Sequence, residues 1–307
     1  MRTQSTRKRF PAISLVGMRT REEVAAYLSE VGEEARFELS YKMSAAFLDE
    51  IEPLVRGKVL SAHACCPSTK FFPNFGSGNP AVIEQSFRDM RSTLDTVLRF
   101  GASIIVLHPG YVTDSAMSSD YKIRSLLLGQ SEFKADVRFA EGSICGSDYN
   151  RTDNYQRFAG RAKKHLVELA AIYSEKGIRL AAENLNPRVG YLFHTPQEMA
   201  ELAGLHPNLH LCLDVGHLRI SSFAYGFDFL EGVRTIVGTG KVATCHLHSN
   251  SSSPARFRDD HHSIDKNGFP LEAVLEILAG SGANLVLETV EEPIRNIRLL
   301  KELLASL

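Results

Sequence analysis

Residues 178–214 read IRLAAENLNPRVGYLFHTPQEMAELAGLHPNLHLCLD, and this stretch decides the fold. Two short apolar runs, Ile178 to Glu183 and Leu209 to Asp214, flank a segment that opens on Thr195 as a cap with Pro196 at the first helical position. Proline is favoured there because its missing N–H has no helical partner to lose. The flanking runs are too short for helices and suit buried strands, so the unit reads strand, helix, strand. Strands joined through a helix pair in parallel. Each run also ends in an acid, which puts a carboxylate at the C-terminal end of its strand.

The same alternation runs outward in both directions. The remaining strands are expected at Ile13 to Gly17, Arg36 to Leu39, Val59 to His63, Ser103 to His108, Val242 to His246 and Asn284 to Glu288. Helices are expected at about Thr20 to Glu33, Tyr41 to Val55, Ala81 to Phe100, Asn154 to Lys176, Pro196 to Ala203, Phe227 to Ile236, Leu271 to Leu278 and Glu292 to Leu304. Thr20 with Glu23 three residues on has the spacing of a capping box, and Gly101, Gly177 and Gly204 stand at helix ends. An uninterrupted series of this kind, without a linker or a short repeat, points to a single α/β domain over 1–307, a closed (β/α)₈ barrel. An open doubly wound sheet is the alternative. Two segments break the rhythm: 111–153 after the fourth strand is far longer than a normal βα loop and reads as an insertion or lid over the mouth. Asn250 to Arg258 reads as an exposed mobile loop.

Composition sets the outer bounds. Of 307 residues, 44% are hydrophobic and 23% charged, ordinary for a globular chain with a large core. A net charge of −1 gives no overall attraction to nucleic acid or anionic membrane. The cysteines, Cys65, Cys66, Cys145, Cys212 and Cys245, are odd in number and lack zinc-finger or redox spacing, so free thiols in a cytoplasmic protein are expected. Basic Arg2, Arg7, Lys8 and Arg9 precede an apolar stretch, Phe10 to Met18, that runs straight into Arg19, Arg21 and Glu22, too short and badly flanked for export. No apolar run approaches the ~20 residues of a membrane span.

Six expected strands end in a metal-ligating residue: His63, His108, Glu183, Asp214, His246 and Glu288. In a barrel those ends converge on the mouth where active sites lie. Glu183, Asp214 and Glu288 crowded there would repel one another unless cations neutralised them. His217 follows Asp214 by three residues, on the loop expected after the sixth strand, and the run Asp259, Asp260, His261, His262 adds further donors. Oxygen and imidazole donors of this kind suit Zn²⁺, Mn²⁺ or Fe²⁺. Arg188, Lys241 and Arg256 are candidates for holding a phosphate.

The segments LSAHA, IIVLHPG, LAAENLNP, LCLDVGHL, CHLHSN, RDDHHSID and LVLET, spread from Val59 to Val290, resemble the xylose isomerase-like TIM barrel superfamily. Their metal pattern is most similar to AP endonuclease family 2, also called endonuclease IV. That resemblance implies up to three divalent ions, Zn²⁺ ahead of Mn²⁺ and Fe²⁺. His63 and His108 would hold one, Glu183 would bridge it to a second completed by Asp214, His246 and Glu288, and His217, Asp259 and His261 would hold a third. The departures matter too. Where the DNA-repair enzymes carry an aromatic, DNA-penetrating segment, this chain has Ala64, Cys65, Cys66 and Pro67, which argues against abasic-site DNA unless Phe71 and Phe72 supply another wedge. Ser249 and Asn250 stand where many relatives have an acid.

Three functions follow. Metal-assisted phosphoester hydrolysis on a sugar-phosphate substrate uses all nine ligands and is placed first. The alternative is a sugar or sugar phosphate isomerase or epimerase related to the same superfamily, with one metal on Glu183, Asp214, His246 and Glu288 and with Glu183 and Glu288 moving the proton. The third is a metal-stabilised barrel that binds a ligand without turnover.

Overall fold

A computed structural model describes residues 11–307; the basic run through Arg9, and Phe10 after it, lie outside these. Eight parallel strands close into a barrel in sequence order: β1 (Ala12–Ser14), β2 (Phe37–Leu39), β3 (Val59–His63), β4 (Ile104–Leu107), β5 (Arg179–Glu183), β6 (Leu209–Asp214), β7 (Val242–Leu247) and β8 (Asn284–Leu287). Ala12 and Ile13 pair with Val286 and Leu287, which removes the two edges an open sheet would leave. The outer ring is α1 (Arg21–Val31), α2 (Ala45–Val55), α3 (Pro80–Phe100), α4 (Asp153–Ser174), α5 (Pro196–Leu205), α6 (Phe229–Gly238), α7 (Leu271–Leu278) and α8 (Pro293–Ser306). Thr20 and Thr195 form capping boxes with Glu23 and Glu198. The five cysteines are free and buried. Among the described residues no helix is long and apolar enough to cross a membrane.

The pleat decides which side chains reach the mouth, because alternate residues of a barrel strand face inward. Leu180 and Ala182 on β5, Leu211 and Leu213 on β6, and Cys245 and Leu247 on β7 pack into the large core shared with the helices. The residues between them, Ala181 and Cys212, join Ile104, Val106 and Ala243 in a separate small cluster filling the barrel axis. Continuing that inward row by two residues reaches Glu183, Asp214 and, just past β4, His108.

Three expectations need correction. The segment after β6 is a helix, Val215–Tyr225, rather than a loop: the Asp214 side chain caps it by accepting from His217 N at 2.7 Å. The second helix begins at Ala45 rather than Tyr41, because the Ser44 hydroxyl accepts from Phe47 N. Residues 250–258 are largely packed down, with Asn250, Ser252 and Phe257 buried and only 254–256 and 258 exposed. Ser252 Oγ donates to Arg258 O and accepts from Arg258 N, both at 2.8 Å, closing the loop on itself.

Residues 111–153 fold into a helix, Tyr121–Leu128, and short antiparallel pairings: Met117–Ser118 with Phe71–Phe72, and Val137–Phe139 with Ile144–Cys145. They are tied to the loop after β5. Val112 N donates to Gly190 O at 2.8 Å, Cys145 N to Pro187 O at 3.0 Å, and Val189 N to Ser143 O at 2.9 Å.

Candidate active site

The centre of the mouth is a buried imidazole among three carboxylates. His246 Nδ1 lies 3.3 Å from Glu288 Oε2, 3.7 Å from Asp214 Oδ2 and 3.8 Å from Glu183 Oε1. Both nitrogens of this ring are buried without a well-aligned hydrogen bond, Nε2 having an ion-pair contact with Glu38 and Nδ1 facing the three carboxylates. A polar atom left in this state is costly unless something fills the space before it. Ligand atoms of Glu183, Asp214, His246 and Glu288 all lie within 4.8 Å of one another, so one divalent ion could be held by an imidazole nitrogen and three carboxylate oxygens.

Two further groups flank this centre. His63 Nε2 is 2.9 Å and His108 Nε2 3.7 Å from the same Glu183 oxygen, Oε2. Their other ring nitrogens are engaged, His63 Nδ1 with Ala64 O at 3.0 Å and His108 Nδ1 with the Tyr111 hydroxyl at 3.0 Å. On the other side, His217 Nε2 and His261 Nε2 each stand 3.3 Å from a different oxygen of Asp259. Here too the Nδ1 atoms are taken, by Asn184 O at 3.1 Å and Glu288 O at 2.8 Å. Imidazoles that donate Nδ1–H to a carbonyl keep Nε2 as a lone-pair donor, the tautomer a metal requires. The nine residues named from the sequence are therefore brought together in three adjoining groups.

Without a metal, the acids and imidazoles of these groups shift one another's protonation. Burial alone would raise Glu288, yet His246 and His261 beside it bring its carboxyl down to about 2. Burial alone would lower His261, but Asp259, close beside it, and then Glu288 raise it to about 9. His108 behaves differently: burial takes it down to about 3, so it is neutral at physiological pH.

Four residues outside the expected set complete the arrangement. Glu38, fully buried on β2, places Oε1 2.9 Å from His246 Nε2 and accepts from Ser61 Oγ at 2.6 Å through Oε2. Its signal was an acid in the middle of an apolar run. His248 Nε2 lies 3.0 Å from Asp214 Oδ1, and its ring stacks on His261 at 3.8 Å. It sits two residues past His246, on the same side of the chain by strand alternation. Asn186 donates to Asp259 Oδ2 at 2.8 Å. Arg124 comes from the 111–153 segment, and no sequence feature pointed to it.

A cavity of about 830 Å³ opens above the centre, lined by Glu183 and Glu288 of the centre and by Tyr41, Ser119, Tyr121, Arg124, Arg188 and Arg258 among others. Of the three basic candidates only Arg188 lines it. Lys241 precedes β7, at the opposite end of the barrel, and its ammonium donates to Pro207 O. Arg256 is exposed outside the wall, 3.9 Å from Glu141. Ala64, Cys65 and Cys66 are buried, and Phe72 is packed between Tyr41 and His108 with ring centres at 5.0 and 4.8 Å, so Phe72 is not a free wedge.

Comparison with known proteins agrees with this architecture. A structure described as a D-tagatose 3-epimerase-like protein superposes with a TM-score of 0.68 at 19% identity, covering 97% of this chain and 98% of the other. A D-psicose 3-epimerase crystallised in the presence of D-fructose gives 0.61 at 16% identity, covering 94% and 89%. In sequence, an uncharacterised protein of Methanocaldococcus jannaschii is 24% identical over 202 residues, 66% of this chain and 59% of that relative, so the match spans less than two thirds of the relative's length. The sequence profile of one family matches residues 26–307, nearly the whole described structure. The chain belongs to the xylose isomerase-like TIM barrel family.

Proposed function

We propose that this protein is a divalent-metal-dependent sugar epimerase or isomerase acting on a ketose or its aldose partner. The observation that carries the reading is the centre itself: Glu183, Asp214, His246 and Glu288 surround one point, with the unpartnered His246 Nδ1 facing it. The likeness of the fold to structures named as sugar epimerases supports this ahead of phosphoester hydrolysis, the function placed first from the sequence.

An ion on those four residues would polarise a sugar carbonyl and its neighbouring hydroxyl, acidifying the C–H beside them. The remaining work belongs to the chain. Glu183 on β5 and Glu288, just past β8, rise from strands three apart in a ring of eight, so they approach a bound sugar from different sides of the mouth. One carboxylate takes the proton from carbon, and the other carboxyl group delivers a proton to the opposite face, inverting that centre. Both groups are buried, with side chains 1% and 7% exposed, which limits loss of the proton to water. The Glu38 contact orients His246, and the Asp214 side chain is divided between capping the following helix through Oδ1 and facing the centre through Oδ2.

Phosphoester hydrolysis keeps one observation in its favour, the two flanking groups around His63, His108, His217, Asp259 and His261. Incubation of the Mn²⁺-loaded protein with D-tagatose and D-fructose in D₂O, followed by NMR, separates the two. Deuterium appearing at the carbon next to the carbonyl is expected. Its absence, together with cleavage of bis(p-nitrophenyl) phosphate, would replace the proposal with hydrolysis.

A further inference from the structure

Two arginines in the cavity wall have no acid to answer them. Arg124, from the helix Tyr121–Leu128, and Arg188, from the loop after β5, are each only 8% exposed. Neither forms an ion pair among the described residues. Arg124 donates to neutral acceptors, the Tyr191 hydroxyl at 2.9 Å and the carbonyls of Ser118 and Ser119 at 2.8 and 3.2 Å. Arg188 reaches the Tyr121 hydroxyl at 3.3 Å and Ser125 Oγ at 3.4 Å, both long, and its buried Nε has no partner. Both guanidinium groups stand over one ring, Tyr121, with centre distances of 5.7 and 5.1 Å. Two like charges thus share one aromatic ring.

The acids of the outer wall are already occupied. Glu141 pairs with Arg258 at 2.6 Å, Asp120 caps the Tyr121 helix by accepting from Lys122 N and Ile123 N, Asp259 faces His217 and His261, and Asp260 faces His262. Burying a guanidinium without an anion is strongly unfavourable, and ring contacts and neutral hydrogen bonds compensate it only in part. Arginine's planar fork matches the oxygens of a phosphate or carboxylate.

Resting on the sugar reading above, we infer that Arg124 and Arg188 seat an anionic group of the substrate, so that the natural sugar is a phosphorylated ketose or a sugar acid rather than a neutral sugar. Glu183 and Glu288 share this cavity, so a molecule anchored at the arginines is presented to both glutamates.

Calorimetric titration of the Mn²⁺-loaded protein with D-fructose, D-fructose 6-phosphate and D-glucuronate at fixed ionic strength tests this, with inorganic phosphate titrated into both metal-loaded and metal-free protein. At least one anionic sugar should bind tenfold or more tightly than D-fructose. Preference for the phosphate ester identifies a phosphosugar, and preference for the uronate a sugar acid; either upholds the seat. Inorganic phosphate should bind the metal-free protein too, and R188M should remove that binding. D-Fructose binding as tightly as both anions, or phosphate binding only when metal is present, overturns the inference. The wild-type comparison stands even if the buried R188M variant does not fold. Because calorimetry needs no turnover, anion preference without deuterium exchange on the preferred anionic sugar itself retains the seat and removes the epimerase reading, while exchange on a neutral ketose without anion preference does the reverse.

Discussion

Glu38 Oε1 lies 2.9 Å from His246 Nε2, with both side chains wholly buried, and this contact leaves Nδ1 of the same ring facing Glu183, Asp214 and Glu288. An acid behind an imidazole fixes its orientation and raises its basicity, and losing one typically costs ~10–100-fold in metal affinity. Glu38→Gln should therefore weaken Mn²⁺ or Zn²⁺ binding by about that factor, read by competition with a chromophoric chelator. Unchanged affinity would leave Glu38 as a strand residue with no part in the centre.

Glu183→Gln and Glu288→Gln preserve size and remove a charge from the centre. Each should abolish deuterium exchange and turnover by orders of magnitude while far-UV circular dichroism stays that of the wild type. Near-normal rates with normal metal content in either variant would show that proton transfer is assigned to the wrong residues.

The group formed by His217, Asp259 and His261, with His248 beside them, lies outside the four-residue centre. His261→Ala should lower the metal content of protein saturated with Zn²⁺ by about one ion per chain: His248 Nε2 is engaged by Asp214 at 3.0 Å, and the two side-chain donors left, His217 and Asp259, rarely hold a divalent ion against solvent. Asp259→Asn should behave alike. For an epimerase, turnover should persist in both variants with a change mainly in substrate affinity. Plasma emission spectrometry of the two proteins reads the metal. Equal content in all three would reduce this group to a polar loop.

Gly216 opens the helix after β6 against the His248 ring. A Cβ added there would lie 2.0 Å from His248 Cε1 and 2.5 Å from both ring nitrogens. The ring is held between Asp214 and His261 and has little room to retreat. In an ordinary helix Gly→Ala stabilises by roughly 0.5–1 kcal/mol; here overpacking should reverse the sign and cost about 1–3 kcal/mol. Urea unfolding of the metal-free protein decides, and a more stable Gly216→Ala variant would show that His248 is free to move.

Glu291 accepts from Lys266 Nζ at 2.8 Å and from Ser263 N at 3.0 Å, and these contacts bring its carboxyl down to about 2. A carboxylate lowered on folding adds stability that is fully present above its unfolded value, ~4.3, and that fades as pH falls through the folded value. Between about pH 4.5 and 2 the Tm of wild type should fall more steeply than that of Glu291→Gln. Differential scanning fluorimetry of metal-free protein gives both curves, and parallel slopes would count against the pairing.

The barrel and most of its site were legible because a parallel strand writes its ending plainly: an apolar run with a polar residue at the C-terminal end. Glu183 and Asp214 were found this way, and His108 and Glu288 fall one residue beyond their strands. The helix beginning at Val215 has no separate start signal, because its N-cap is Asp214, the strand-end acid itself, whose side chain both caps the helix and faces the centre. Glu38 stood in view within a strand but had no partner until closure of the barrel brought β2 and β7 to face each other across the axis. Lys241 and Arg256 were chosen for charge alone, which carries no positional information. Arg124 depended on how 111–153 folds back onto the loop after β5, a long-range pairing with no local signature.

That pairing separates the molecule's tasks by origin. The nine proposed ligands come from strand ends and from the segments after β6 and β7, whereas the two unanswered arginines come from segments stitched together through Val112, Cys145 and Val189. The separation is not complete, since Tyr111 and Asn186 of the same two segments touch His108 and Asp259, so an exchange here reaches the proposed ligands as well as the proposed anion seat. A chimera exchanging 111–153 alone would split the proposed anion seat between two parents, whereas one exchanging 111–153 with 185–191 would carry both arginines and the backbone contacts between them.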